Sequence, residues 1–279
     1  MVEANLNLNF VTPVYLESRG KLQHLGSAVL IRSTESYWLV TAAHVAADSE
    51  LGTILLPRAT GGFFRLTGYP VATCPLRREV AHNDQADLFC VALNDIEAGA
   101  LSTTGVGFLL LHPDTVDLAG ETPPGSFAVV WGYPTTSVSV AERHATITPA
   151  FFHDLRFAGA ERLRKAGFDR DQNIAIITPR KFARNGVVQH DLQLKGLSGG
   201  AIMRSDEDGL RLVGIATEFR SSCSLLIGTR IGHLFASVTH HLKSGAPILK
   251  PMTSRLVHPT VMTVELAVSR SRADRNRVE

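Results

Sequence analysis

Short apolar runs separated by turn residues recur along most of the chain, and this pattern predicts antiparallel β-strands. In the first part of the chain the predicted strands are Phe10–Glu17, His24–Arg32, Tyr37–Thr41, Thr53–Leu56, Phe63–Leu66, Ala86–Leu93 and Val106–Leu111. In the second part they are Ser126–Trp131, Val138–Thr148, Asn173–Thr178, Val187–Leu194, Gly200–Arg204, Leu210–Phe219 and Ser224–Thr229. The sequence therefore predicts an all-β fold.

Two segments have the composition or spacing of helices. Leu155–Ala166 is rich in Arg, Leu and Ala, and Ile231–Lys243 repeats apolar residues at intervals of three and four. A cluster of Gly and Pro between Asp114 and Ser126 is the best linker candidate, because it divides the strands into two sets of similar size. We expect one domain over residues 1–119, a second with the closing helix over 120–245, and a carboxy-terminal extension over 246–279.

The carboxy-terminal extension differs in character from the rest. Val261–Val268 is a candidate for one more strand, whereas Ser269–Glu279 is polar and rich in arginine. A solvated, partly disordered end explains this composition better than an anionic partner does.

Composition and charge exclude several classes of protein. The 279 residues are 44% hydrophobic and 19% charged, a globular balance that supplies an ample core without metal or disulfide. The net charge of +2 is too small to indicate a nucleic-acid partner, and no apolar run reaches the ~20 residues that span a membrane. We expect no metal or other cofactor.

The amino terminus and the cysteines indicate a cytoplasmic protein. The first residues show neither the basic region nor the apolar region of a secretory signal. Cys74, Cys90 and Cys223 are odd in number and have no C-x-x-C spacing, which favours buried thiols in a reducing compartment.

Two of the three notable motifs place a polar residue at the end of an apolar strand. Leu39–Val45 delivers His44 after small residues, and a histidine is well suited to act as a general base near neutral pH. Asp87 opens the apolar run Ala86–Leu93, where a charge needs a partner. Either motif alone is weak, because His44 is one of eleven histidines and Asp87 also fits a strand-end turn.

The third motif, Lys195–Ala201, reads KGLSGGA and is the most specific. Glycines around Ser198 allow a tight turn in which the N–H groups of Gly196 and Ser198 form an oxyanion hole. A plain Gly-Ser hairpin turn is the alternative. The motif also fits G-x-S-x-G, but the nucleophile elbow requires a helix after the serine, and here apolar β-hairpin sequence follows.

Together, His44, Asp87 and Ser198 occur in an order that resembles the trypsin/chymotrypsin-like serine proteases, and the style is closest to bacterial trypsin-like peptidase domains. The resemblance covers roughly residues 22–243. It implies two antiparallel six-stranded-type β-barrels with a carboxy-terminal helix. It also implies a catalytic triad of these three residues, in the cleft between the barrels.

Departures from the family pattern bear on activation and specificity. Leu197 replaces the aspartate that binds the new amino terminus of activated zymogens, so we expect no activation by amino-terminal cleavage. The resemblance also implies that Leu192 lies at the base of the specificity pocket, with Asp191 one place further out. Thr217 and Phe219 lie on the pocket wall, and Phe219 stands where open pockets have glycine. The pocket is therefore predicted to be shallow and apolar.

The resemblance implies a serine endopeptidase that cleaves polypeptides through an acyl-enzyme intermediate. Two alternatives stay open at this point. The first alternative is a trypsin-like protein that a protein partner activates, and the second is a catalytically silent scaffold that binds another protein. Neither nucleic acid nor membrane is expected as a partner.

Overall fold

The computed structural model describes residues 9–236 and 263–266, apart from gaps at 20, 48–52, 59–61, 68, 75, 77, 82, 104, 121, 142–143, 180, 185–186, 191–193 and 208. The amino-terminal strands are β1 Val11–Ser18, β2 Lys21–Arg32, β3 Tyr37–Ala42, β4 Thr53–Pro57, β5 Phe63–Arg65, β6 Tyr69–Ala72, β7 Leu88–Leu93 and β8 Leu109–Leu110. They form one curled sheet in the order β5-β4-β1-β2-β3-β7-β6, with β8 pairing with β2.

The second half of the chain forms a closed six-stranded barrel and two smaller sheets. Its strands are β9 Phe127–Gly132, β10 Val138–Ala141, β11 His144–Ile147, β12 Ala150–Phe157, β13 Asn173–Ile177, β14 Lys181–Arg184, β15 Val187–His190, β16 Ala201–Asp206, β17 Gly209–Arg220, β18 Leu225–Arg230 and β19 Thr263–Leu266. The barrel closes in the order β12-β13-β18-β17-β16-β9. β10, β11 and β19 form one small sheet, and β14 and β15 form the other. The all-β fold of two curled antiparallel sheets expected from the sequence is confirmed; the eight-stranded curled sheet is called the first barrel below, and the closed six-stranded barrel is called the second.

Helices are few and short in the described part of the chain. They are α1 Ala43–Ala47, α2 Arg78–Ala81, α3 Asp95–Ser102, α4 Ala160–Lys165 and α5, residues 231–236. The carboxy-terminal helix is therefore present where predicted, and the rest of its predicted range lies outside the described residues.

The core explains why the central strands are apolar without alternation. Along β2, Ala28 and Leu30 pack inside the first sheet, whereas Val29 and Ile31 face a second cluster shared with Trp131 of the other barrel. Because side chains alternate between the two faces of a strand, a strand buried on both faces reads as a continuous apolar run. The two barrels are thus joined by a common apolar layer.

Several sequence predictions differ from the structure for local reasons. The predicted helix Leu155–Ala166 is wrong at its start, because Leu155 and Phe157 end strand β12 and the helix begins only after Gly159. The predicted strand Val138–Thr148 is a hairpin of β10 and β11. Helix α3 was not predicted, although the capping box formed by Asn94 and Glu97 marks its start.

The predicted linker packs against the second barrel. Val116 forms an isolated bridge with Leu212, and Asp117 forms an ion pair with Arg204 at 2.7 Å. The first sheet ends at Leu110 and the barrel begins at Phe127. The division at residues 119 and 120 stays a prediction.

Candidate active site

A cleft of about 820 Å³ runs between the two barrels and contains the residues that the sequence singled out. His44 and Asp87 line it from the first barrel, and Gly196 and Ser198 line it from the second. Residues more than 40 positions apart in the sequence are therefore brought to one surface. The cleft is the candidate active site.

His44 reaches the cleft because strand β3 turns directly into α1. Two hydrogen bonds to Asp87 hold this turn. The Asp87 carbonyl accepts from the N–H of Ala43 at 2.9 Å, and Asp87 Oδ1 accepts from the N–H of His44 at 2.9 Å. The imidazole Nδ1 lies 2.6 Å from Asp87 Oδ2. With Nδ1 donating to a carboxylate, Nε2 is the nitrogen available to take up a proton.

The environment of Asp87 suits a carboxylate that orients an imidazole. Its side chain is 10% exposed, and burial raises the pKa of Asp87 while the hydrogen bonds from His44 oppose that rise. A buried carboxylate is stabilised in its charged form mainly by its hydrogen-bond partners, so the hydrogen bonds from His44 favour the ionised form of Asp87. The predicted strand Ala86–Leu93 begins later, at Leu88, because Asp87 has a left-handed φ of 41°.

The loop Lys195–Ser198 has all its carbonyl groups turned into the fold. The carbonyl of Lys195 accepts from Thr135 N–H at 2.7 Å, that of Gly196 from the Ser27 hydroxyl at 3.0 Å, that of Leu197 from Gly200 N–H at 2.7 Å, and that of Ser198 from Ser27 N–H at 2.8 Å. Because the N–H and C=O of a peptide point in opposite directions, the Lys195–Gly196 peptide directs its N–H away from Thr135. Within the described part of the chain, neither the Gly196 nor the Ser198 N–H donates a hydrogen bond.

Glycine is required at two positions of this loop. Gly196 has φ 91°, and a Cβ there would lie 2.7 Å from Thr135 Oγ1 and 2.9 Å from His24 Cε1. Gly199 has φ 85°, and its Cβ would overlap the carbonyl oxygen of Ser27. Both the left-handed conformation and the close packing therefore exclude a side chain.

The Ser198 hydroxyl donates to the carbonyl of Thr217 at 3.1 Å. Thr217 lies where β17 skips a residue in its pairing with β18, between Ala216 and Glu218. This irregularity leaves the Thr217 carbonyl outside the ladder, where it contacts the candidate nucleophile.

The predicted specificity pocket is described only in part. Thr217, Phe219 and Leu194 line the cleft, whereas Leu192 lies outside the described residues. Phe219 is half-buried and packs against the apolar cluster of the second barrel that includes Leu226.

Two residues of the site were missed by sequence reasoning. Ser27 donates to both Gly196 and Ser198 and accepts from the Tyr133 N–H at 2.8 Å, so it joins the two barrels at the nucleophile loop. Asp84 lines the cleft, and its carboxylate accepts a hydrogen bond from the Asp87 N–H. A serine within an apolar strand was the one signal for Ser27.

Other kinds of site find no support among the described residues. No group of three or more His, Cys, Asp or Glu side chains there is arranged to hold a metal ion. None of the helices described is long and apolar enough to cross a membrane. The three cysteines are free thiols; Cys90 is buried as expected, whereas Cys74 and Cys223 are only partly so.

The fold and the site define a serine-protease-like protein of two β-barrels, and comparisons with known proteins agree. Among solved structures, the chain is similar to a mutant of human heparin binding protein, with 16% identity, a TM-score of 0.53, and coverage of 86% of this chain and 93% of that chain. No curated protein matches the sequence significantly. The family described as trypsin-like peptidase domain matches residues 26–215, more than half of the chain. The chain therefore belongs to the trypsin-like peptidase family and is a serine protease by class.

Proposed function

We propose that the protein is a serine endopeptidase that cleaves polypeptides through an acyl-enzyme intermediate. The observation that carries this proposal is that His44, Asp87 and the Ser198 loop line the same cleft. His44 Nδ1 lies 2.6 Å from Asp87 Oδ2, and the carbonyl groups of the loop accept hydrogen bonds from within the protein rather than pointing into the cleft. Such a cleft combines a base, a nucleophile and donors for a developing oxyanion.

In the proposed reaction, Ser198 Oγ attacks the carbonyl carbon of the scissile peptide bond and His44 Nε2 takes the hydroxyl proton. The N–H groups of Gly196 and Ser198 stabilise the oxyanion, and Asp87 stabilises the imidazolium. His44 then protonates the leaving amine, which departs and leaves an ester on Ser198. Water attacks the ester with His44 again as base, and the second product leaves as a carboxylic acid.

An extended polypeptide fits the segment of β17 beside the nucleophile, which pairs with β18 but lies beyond the residues paired with β16. Thr217, Glu218 and Phe219 line the cleft next to Ser198, and β-strand addition is a general way in which sheets bind peptides. The half-buried Phe219 fills space near Ser198, which supports a preference for small side chains at that position of the substrate.

Packing of Leu197 supports an oxyanion loop that is ordered without amino-terminal cleavage. Leu197 is fully buried and belongs to the apolar cluster of the second barrel. A Cβ on Gly132 would lie only 2.9 Å from Leu197 Cδ2, so the side chain fits tightly against that strand. An apolar side chain here has no charge to offer an ammonium group, which would be costly to bury unpaired.

A scaffold that is silent or that a partner activates is the second candidate. The hydrogen bond from Ser198 to the Thr217 carbonyl favours it, because that hydrogen must turn to His44 before the serine can act as a nucleophile. A docked partner is one way to drive this change.

A reducing, cytoplasmic location is a further part of the proposal. The free thiols of Cys74, Cys90 and Cys223 support it, and fractionation of cells would test it.

The proposal is tested with a fluorophosphonate probe that labels activated serines. The intact chain is expressed, mass spectrometry verifies that residues 1–22 remain, and labelling is mapped by peptide analysis. We expect labelling of Ser198, none in Ser198→Ala, and cleavage of a peptide library by the wild type alone. Labelling only after cleavage near Arg19 or Lys21 would overturn the activation claim. Labelling only with added cell extract would favour the partner-activated candidate.

A further inference from the structure

Every backbone polar group from the carbonyl of Gln85 to the N–H of Leu88 is hydrogen-bonded. The conformation of this segment is unusual, since Asp87 has φ 41°. A left-handed conformation is unfavourable for a residue other than glycine, so surrounding contacts must maintain it. Those contacts come from both barrels.

Asp84 and Thr73 bind the three successive N–H groups of this segment. Asp84 Oδ2 accepts from Asp87 N–H at 2.9 Å, and its Oδ1 accepts from Ala86 N–H at 3.3 Å. The Thr73 hydroxyl donates to Asp84 Oδ2 at 2.5 Å and accepts from Leu88 N–H at 3.0 Å. Asp84 is therefore the centre of the first-barrel side of this support.

The second barrel binds two of the carbonyl groups. Asn173 Nδ2 donates to the carbonyl of Gln85 at 2.7 Å, and the Thr229 hydroxyl donates to the carbonyl of Ala86 at 2.6 Å. Asn173 and Thr229 are both fully buried. Buried polar side chains that bond across a domain boundary are costly to leave unpaired, so these bonds hold the segment firmly.

We propose that Asp84 and Thr229 are positioning residues that fix the Asp87 carboxylate against His44, one from each barrel. This inference rests on the proposed function, because it assigns a task to the His44–Asp87 pair. It makes the orientation of the base depend on the docking of the second barrel onto the Asp87 segment. Both residues bond to the backbone of the Asp87 segment, so both act through Asp87.

The variants are Asp84→Ala and Thr229→Val, each with a matched control. Glu97→Ala removes another buried carboxylate of the first barrel, which accepts bonds from Thr67 and from the start of α3. Thr12→Val alters another fully buried threonine, whose hydroxyl makes only a 3.5 Å contact to Pro13. Asp84→Asn keeps one acceptor oxygen and serves as the conservative variant.

Misplacement of a catalytic group by about an ångström costs about 100-fold in rate. We therefore expect kcat per folded molecule to fall by about 10- to 100-fold in Asp84→Ala and Thr229→Val, with KM unchanged. The controls lose stability but keep kcat, and Asp84→Asn recovers part of the loss. A loss in Glu97→Ala equal to that in Asp84→Ala would overturn the proposal, as would an effect on KM alone.

A second readout does not depend on proteolysis. The His44 Nδ1 proton lies in a short, charge-assisted hydrogen bond, so it gives a low-field proton resonance in NMR spectra. That resonance is expected to weaken or shift in Asp84→Ala and Thr229→Val and to persist in both controls. An unchanged resonance in both variants would refute the positioning role. If the wild type cleaves no better than Ser198→Ala, the proposed function fails, while this arm still decides the positioning claim.

Discussion

The Nδ1 atom of His44 lies 2.6 Å from Oδ2 of Asp87, whose other oxygen accepts from the His44 backbone N–H. In Asp87→Asn the side-chain oxygen accepts from the His44 backbone N–H, so the amide NH2 group faces His44 Nδ1. The imidazole would carry its hydrogen on Nε2 and could not take a proton from Ser198. We expect kcat to fall by about 10⁴-fold with the fold intact.

Steady-state kinetics on a peptide substrate, with thermal unfolding as the check on folding, measures this loss. Asp114→Asn is the control, because Asp114 is 87% exposed and outside the cleft. Full activity of Asp87→Asn would contradict the assigned role.

Losses from Ser198→Ala and His44→Ala are expected to be non-additive. The two side chains act in one step, so the double variant should have nearly the same residual rate as Ser198→Ala alone. Rates of the two single variants and the double variant, measured with one substrate, decide the matter. Strictly multiplicative losses would argue against a shared mechanism.

Gly196→Ala should damage the oxyanion hole. A Cβ at this position would lie 2.8 Å from the backbone nitrogen of Thr135, so the loop must move and the N–H groups lose their alignment. Loss of one oxyanion donor costs about 10²–10³ in kcat. Gly105→Ala is the matched control: its φ of 75° is equally unfavourable, but nothing lies within 4 Å. Equal loss in both variants would indicate a general effect of backbone strain.

Phe219→Ala should widen substrate choice. The ring packs near Leu194 at the edge of the cleft, and its removal makes room beside Ser198. We expect cleavage after larger apolar residues to improve relative to cleavage after alanine, as read from a substrate-library profile. Phe127→Ala, which removes a ring 43% exposed and outside the cleft, should leave the profile unchanged. An unaltered profile in Phe219→Ala would show that the ring does not limit the pocket.

His24 should make the protein less stable in mild acid. Burial lowers the pKa of His24 from 6.5 to about 4. Between those values the denatured chain binds the extra proton and the native chain does not, so the free energy of unfolding falls as the pH falls through the window. The full effect is about 3 kcal/mol. Denaturant unfolding from pH 7 to pH 4 should show a weaker pH dependence in His24→Gln than in the wild type.

The control for this effect is His112→Gln, because the His112 side chain is 54% exposed. This variant should keep the pH dependence of the wild type. If His24→Gln and the wild type show the same slope, another group is responsible.

Local pattern was enough to predict the strands and to select the motif residues. Runs such as those of β2 and β7 are apolar on both faces and bounded by turns, so a buried strand is their simplest interpretation. The glycines around Ser198 predicted a tight turn, and Gly196 and Gly199 do have positive φ. The residues of the cleft were found because each motif needs only neighbours in sequence to be recognised.

Only the tertiary structure could bring in Ser27, Asn173 and Thr229. Ser27 bonds to residues 169 and 106 positions away, and Thr229 bonds to a carbonyl 143 positions away. Such partners are set by how two barrels dock, and no local spacing encodes them. The same holds for Leu155, which has a helical neighbourhood in sequence but pairs with β9, since burial in a sheet outweighs the weak helix preference of the segment. Side-chain chemistry is local, whereas its partners depend on packing across the whole fold.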